Sequence, residues 1–262
     1  MRKIILLSTL FIAGFNGWSQ LRFEKLVINS NEQFVIDGQS DIIVADTLIM
    51  MDGSSIILNS LKPENYLRTN VAVIGQNCSI IGAGQQGKPG KCGKSGSSQP
   101  GPCRDGLPAE NGSNGLAGGH GVNLFFYVSQ LRIDGNLTID LRGGTGGDGG
   151  MGGKGGDGNP GTLHCNGGNG ATGGTGGRGG RGGNGGNLAI SAPNPGQLTD
   201  WIGSLIVCQT NGGDGGRGGK GGYPGAKGLG PSNKYGKDGA TGTFGEPGDR
   251  GKDGTLTFEI NR

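Results

Sequence analysis

From Phe34 to Ile81 the chain alternates apolar, largely β-branched residues with polar ones, in short pieces broken by Gly, Asn and Asp. That alternation predicts strands at Phe34–Ile36, Asp41–Ala45, Asp46–Met50, Ser55–Leu58, Val71–Ile74 and Cys78–Ile81. Their spacing is that of a parallel β-solenoid, or of a sandwich, over about 21–82. Three later segments, 122–141, 188–209 and 255–260, have the same strand character, and each begins directly after a run of glycines. The reading is a mainly β, polyproline-II-like chain: residues 20–82 form a β-strand domain, and 83–262 form glycine-rich helices interleaved with strands. Two arrangements stay open, a solenoid whose later rungs are interrupted by glycine runs, or an independent β-domain with a tethered bundle.

The N-terminus has a different pattern. Met1-Arg2-Lys3 precedes an apolar run from Ile4 to Phe15 and then Asn16-Gly17-Trp18-Ser19-Gln20, the order of a secretory signal. Residues 1–19 are read as the signal peptide, with the mature chain starting near Gln20. No α-helix is expected beyond it, and no stretch reaches the roughly 18 apolar residues of a membrane span. The expected location is the periplasm, the outer membrane surface or the cell exterior. Gln after the cleavage point resembles exported proteins of Bacteroidota-type bacteria.

Glycine changes the picture most, at 64 of 262 residues. In a flexible linker glycines fall irregularly. Here they recur every third residue from Gly143 to Gly161 and from Gly167 to Gly185, with a second column at Gly144 to Gly156 and Gly174 to Gly186. Three residues per turn is the period of polyproline II, a helix without internal hydrogen bonds, whose backbone groups must pair elsewhere. Collagen shares the period but places proline at X and Y, whereas these repeats are mainly Gly-Gly-X and the chain has 11 Pro. A bundle of about six polyglycine-II helices is therefore expected, at about 84–96, 112–121, 143–158, 167–186, 212–222 and 236–254. Runs with two glycine columns (143–158, 167–186, 212–222) belong inside, and those with one at the edges. Only 236–254 is collagen-like by itself.

Charge and chemistry narrow the function. Without Arg2 and Lys3 the Lys+Arg count falls from 23 to 21 against 20 Asp+Glu, so a nucleic-acid partner has no electrostatic support. Gly93-Lys94-Ser95 lacks the earlier glycine of a phosphate loop, which is Lys88, and the Gly-Gly-x-Gly-Gly-Asp pieces ending at Asp148 and Asp157 lack the nine-residue period of calcium repeats. His120 and His164 are read as solvated turn residues, no catalytic constellation is visible, and no cofactor or metal is expected. Five cysteines in an exported chain imply disulfides with at least one cysteine left over. Cys92 and Cys103 flank the loop joining the first two runs and are the candidate pair, with Cys165 the candidate odd thiol. Outward X positions place Arg178 and Arg181 on one run and Arg217 and Lys220 on another. They are a candidate cationic ridge for envelope glycans or a partner protein, against the plainer reading of a solvated, mixed-charge face. Asp46-Thr47-Leu48 resembles the acceptor motif of Bacteroidota-type O-glycosylation, with Thr47 as the candidate residue.

In its Gly-Gly-X register over about 84–254 the chain resembles polyglycine-II bundle proteins, namely springtail antifreeze proteins and phage tail-fibre tip adhesins. The antifreeze group implies ice binding through a flat face of small residues, but the outward column here is Lys, Arg, Asp and Asn. The adhesin group implies glycan or receptor recognition by tip turns, which fall at 159–166 and 223–235. The expected function is a non-catalytic structural or recognition protein of the cell envelope, including an accessory role in an outer-membrane assembly, with adhesin-like glycan binding and ice binding as alternatives.

Overall fold

A computed structural model of the chain describes residues 20–260 except Asp37 and Asn194; the expected signal peptide, 1–19, lies outside the described residues. The protein is mainly β, in two parallel sheets. The first holds β1 (Gln20–Ile28), β3 (Ile42–Met50), β5 (Glu64–Ile74), β7 (Asn123–Ile133), β9 (Leu188–Ala192) and β11 (Leu256–Ile260). The second holds β2 (Gln33–Val35), β4 (Ser55–Ile57), β6 (Cys78–Ile81), β8 (Leu137–Asp140) and β10 (Ile206–Gln209). Consecutive strands alternate between the sheets, and each lies parallel on the strand two before it.

This register lines like residues up in columns. In the first sheet Leu21, Ile43, Leu67, Phe126, Ile190 and Phe258 succeed one another strand by strand, and in the second Phe34, Ile56, Ile80, Ile139 and Cys208 do. The middle members of both columns are fully buried in one core. Parallel pairing in register is stabilised because each apolar side chain lands on an apolar neighbour, and a slip by one residue would turn the whole column to solvent. Since β7 pairs with β5 and β8 with β6, both sheets cross the boundary expected near residue 82.

The later strand segments are subdivided. The 122–141 segment turns at Asp134-Gly135-Asn136 into β7 and β8, which belong to different sheets. The 188–209 segment is interrupted by α1 (Pro195–Trp201), a helix that was not expected. Pro193 and Pro195 end strand pairing there, because proline offers no N–H to a ladder and Pro195 suits a first helical turn. Leu198 of α1 is buried, and Trp201 and Ile202 pack against the end of the core.

The glycine runs occupy three of the connections: β6 to β7, β8 to β9 and β10 to β11. Each goes out and back, giving runs 1 (84–96) and 2 (106–121), 3 (143–158) and 4 (167–186), 5 (212–228) and 6 (236–254). Along run 1 the N–H groups of Gly84, Gly87, Gly90, Gly93 and Gly96 donate to the carbonyls of Arg142, Thr145, Asp148, Met151 and Lys154 on run 3, all at 2.8 Å. Run 3 donates in the same way to run 5, run 2 to run 4, and run 4 to run 6. These parallel ladders continue those of the sheets at a constant sequence offset: Gly82→Asp140 precedes Gly84→Arg142, and Gly121→Asn184 is followed by Leu124→Asn187. Runs 1, 3 and 5 thus extend the second sheet, and runs 2, 4 and 6 extend the first. Between the two layers the runs are antiparallel, as in Gly150→Ser113, Gly177→Gly150 and Gly219→Gly177, each at 2.8 Å.

Candidate functional site

Runs 3 and 4 each touch four other runs, runs 2 and 5 three, and runs 1 and 6 two. The central position of the two-column runs 3 and 4 matches the glycine count, but run 2, with one column, is as enclosed as run 5. The runs also extend beyond the expected bounds, since the ladders include Gly106 and Gly228.

Glycine is required because backbone meets backbone. A Cβ on Gly149 would stand against the Gly177 carbonyl oxygen with the Gly219 nitrogen 2.9 Å away, and one on Gly150 would stand against the Lys91 carbonyl oxygen. The X side chains are left to point away from the opposite layer, into solvent.

Many X side chains carry a second function that sequence reasoning missed. Asn111 and Asn114 on run 2 accept, through Oδ1, the backbone N–H groups of Thr175 and Arg178 on run 4, and His120 accepts that of Asn184 through Nδ1. Asp105 and Asn123 continue the row to Asn169 and Asn187, and every one of these bonds spans 64 residues. His120 is therefore an acceptor in a ladder, with its proton on Nε2, rather than a free turn residue. Runs 3 and 5 repeat the device where Asp148 and Asp157 accept from the N–H groups of Arg217 and Ala226. The Ala226 N–H, helped by Lys154, holds the Asp157 carboxyl below the usual carboxylate range. The signal was present in the sequence as acceptors at three-residue multiples, Asp105, Asn111, Asn114, His120 and Asn123, but reading it requires knowing which run lies alongside.

The candidate cationic ridge is divided between two faces. Arg178 and Arg181 lie on run 4, in the layer of runs 2, 4 and 6; Arg217 and Lys220 lie on run 5, in the opposite layer. Arg178 meets Asp249 of run 6 at 3.4 Å and Arg217 meets Asp148 of run 3 at 3.6 Å, so neither layer shows a purely cationic stripe. Thr47 sits half-buried inside β3, between Lys25 and Val71 of the neighbouring strands.

The cysteine pairing is corrected. Cys103 bonds to Cys165, which had been the candidate odd thiol, and Cys92 is a free, exposed thiol on run 1. Cys92 and Cys103 are close in sequence, but the register puts the tip of the first hairpin beside the tip of the second. Cys78 is buried, and burial pushes the half-buried Cys208 thiol up to about 11.

The tips of the three hairpins gather at the end of the bundle far from the sheets. Asn159 donates its side-chain amide to the carbonyls of Gln99 and Gly101, and Lys234 Nζ donates to the Leu163 carbonyl at 2.8 Å. Around these ties Leu163, Leu229 and Tyr235 are exposed, at 72%, 63% and 46%. His164 lies in the same tip, exposed.

No family model matches the chain and no curated protein matches it. One solved structure that it resembles is a springtail antifreeze protein from Granisotoma rainieri, a nine polyproline type II helical bundle whose crystal waters match the ice lattice. The identity is 25% over 64% of this chain and 92% of that one, with a TM-score of 0.12, a likeness that carries no argument. Among the described residues no helix is long and apolar enough to cross a membrane.

Proposed function

We propose that this chain is an exported, non-catalytic scaffold of the bacterial envelope: a β-solenoid whose last rungs are drawn out into six polyglycine-II helices. The observation carrying this is the single hydrogen-bond register shared by sheets and runs, in which Gly82→Asp140 passes into Gly84→Arg142 at the same 2.8 Å. A chain that spends its glycines on backbone pairing gains length and stiffness at little side-chain cost. At about 3.1 Å per residue the 16 residues of run 3 give a rod of roughly 50 Å. Several ionisable groups along the runs, among them Asp148, Asp157, Asp238 and Asp253, serve the rods themselves as N–H acceptors, which supports a mechanical role over a chemical one. An outer-membrane assembly or an envelope glycan is the partner such a spacer fits. Amide exchange tests the reading: the glycine N–H groups of 143–186 should be protected to the level of β5 and β7. Exchange at the rate of an unfolded peptide would overturn it.

A second reading, recognition at the tip, is favoured by the exposed Leu163, Leu229 and Tyr235 on a tied-down surface. Replacing all three by serine should abolish binding of the purified protein to cell envelopes if the tip is the contact, and leave it intact if the rods are.

A further inference from the structure

In runs 1 and 3 one glycine column donates along the layer to the next run. Run 5 has the equivalent column, Gly212, Gly215, Gly218 and Gly221, followed at the same spacing by Pro224 and Lys227, but no run lies beyond it. Run 6 covers the two ends of this column: Asp253 accepts the Gly212 N–H at 2.8 Å and Asp238 accepts that of Lys227 at 2.9 Å. Pro224 has no N–H to cover. In the same antiparallel register, the residues facing Gly215, Gly218 and Gly221 are Arg250, Pro247 and Phe244, none of whose side chains can accept a hydrogen bond. Arg250 is turned to Asp214 and Asp253. The N–H groups of Gly215, Gly218 and Gly221 have no acceptor among the described residues, and all three glycines are partly exposed. Beside them Phe244 is 73% exposed.

We propose that this edge of run 5, flanked by Phe244 and Pro247, is a docking groove for a proline-rich polyproline-II segment of a partner protein. The proposal rests on the polyglycine-II reading of the runs, and its donors are the column of run 5 equivalent to those that join run 1 to run 3 and run 3 to run 5. The three free donors recur at a three-residue pitch, roughly 9 Å, which is also the carbonyl repeat of a polyproline-II helix. A β-strand presents its carbonyls along one edge at about 6.6 Å and falls out of step. The groove supplies donors and needs only acceptors, which suits proline, and Phe244 and Pro247 offer apolar contact to proline rings, the mode by which aromatic grooves hold such segments. The glycine column of run 5 adds no side chain of its own to this edge, so what an incoming backbone meets there are the Phe244, Pro247 and Arg250 side chains of run 6. Run 6 cannot be extended in this way, because its equivalent column carries Tyr235, Asp238, Thr241, Phe244, Pro247, Arg250 and Asp253.

The test titrates the full mature protein with a short peptide of Pro-Pro-Gly repeats and with a strand-forming Thr-Val peptide of equal length. The expected result is calorimetric binding of the first alone, with exchange protection appearing at the amides of Gly215, Gly218 and Gly221. Phe244→Asp and Pro247→Asp place acceptors where Asp238 and Asp253 already serve, so they should cap the groove from within. Each should keep the melting temperature, and together they should weaken the peptide roughly tenfold or more, from two lost hydrogen bonds and an aromatic contact. A folded protein that ignores the Pro-Pro-Gly peptide, binds both peptides alike, or binds equally well with both substitutions overturns the groove. Unprotected amides over 143–186 in the free protein would instead overturn the bundle reading beneath it.

Discussion

At the residue scale, three consecutive positions of run 3 separate the contribution of glycine from that of the exposed face. Gly149 donates to the Arg217 carbonyl and Gly150 to that of Ser113, each at 2.8 Å, whereas Met151 is 43% exposed. Alanine at either glycine forces the neighbouring runs apart and orphans backbone groups, at about 1–3 kcal/mol each. The opposing term, the lower entropy of the unfolded chain, is about 0.4–1 kcal/mol. Gly149→Ala and Gly150→Ala should therefore lower the melting temperature by several degrees while Met151→Ala leaves it nearly unchanged, as followed by differential scanning calorimetry. Equal tolerance at the three positions would mean that the run is a linker.

At the scale of elements, neighbouring runs are joined by two systems, the glycine N–H ladders and the rows of side-chain acceptors. The second titrates. The Asp157 pKa is depressed by the Ala226 N–H and by Lys154, which it meets at 2.9 Å. Its folded value lies below the unfolded one near ~3.9, so its contribution is present above that pH and is lost as pH falls through the folded value. Melting curves recorded from about pH 5 down to pH 2 should show this loss, and Asp157→Asn should flatten it while keeping Oδ1 as the Ala226 acceptor. The bond is exposed, so the effect is small; a variant as acid-sensitive as the wild type would show that the carboxylate is not coupled to folding.

At the scale of the whole molecule, the runs are anchored at both ends. The sheets hold one end, where the Leu67, Phe126 and Ile190 column sets the register, and Cys103–Cys165 holds the other, closing a sequence separation of 62 residues. A loop of that size is worth about 4 kcal/mol in the chain-entropy account of a disulfide. Peptide mapping of unreduced protein should join the Cys103 and Cys165 peptides and leave Cys92 open to alkylation. Reduction should lower the melting temperature and release protection first at the hairpin tips, not at the sheets. Joined Cys92 and Cys103 peptides would refute this pairing.

The sequence alone determined part of what depends on local period, although β1 and α1 were not read from it and Asp41–Ala45 and Asp46–Met50, read as two strands, are the single strand β3. Alternation marked Asp46–Met50 and Cys78–Ile81 as strand, and glycine at every third position set the expectation of extended runs over 143–158 and 167–186, because both follow from side-chain geometry within a few residues. What depended on which segment lies beside which was not legible. Residues 64 apart share the acceptor row of Asn111, Asn114 and His120, and residues 62 apart share the disulfide. Arg178 and Arg217 look alike in sequence, yet they fall on opposite layers because consecutive runs alternate between the two sheets they extend. The stacking order of the strands, chosen by burial of the apolar columns, made those decisions, and burial is a property of the folded molecule.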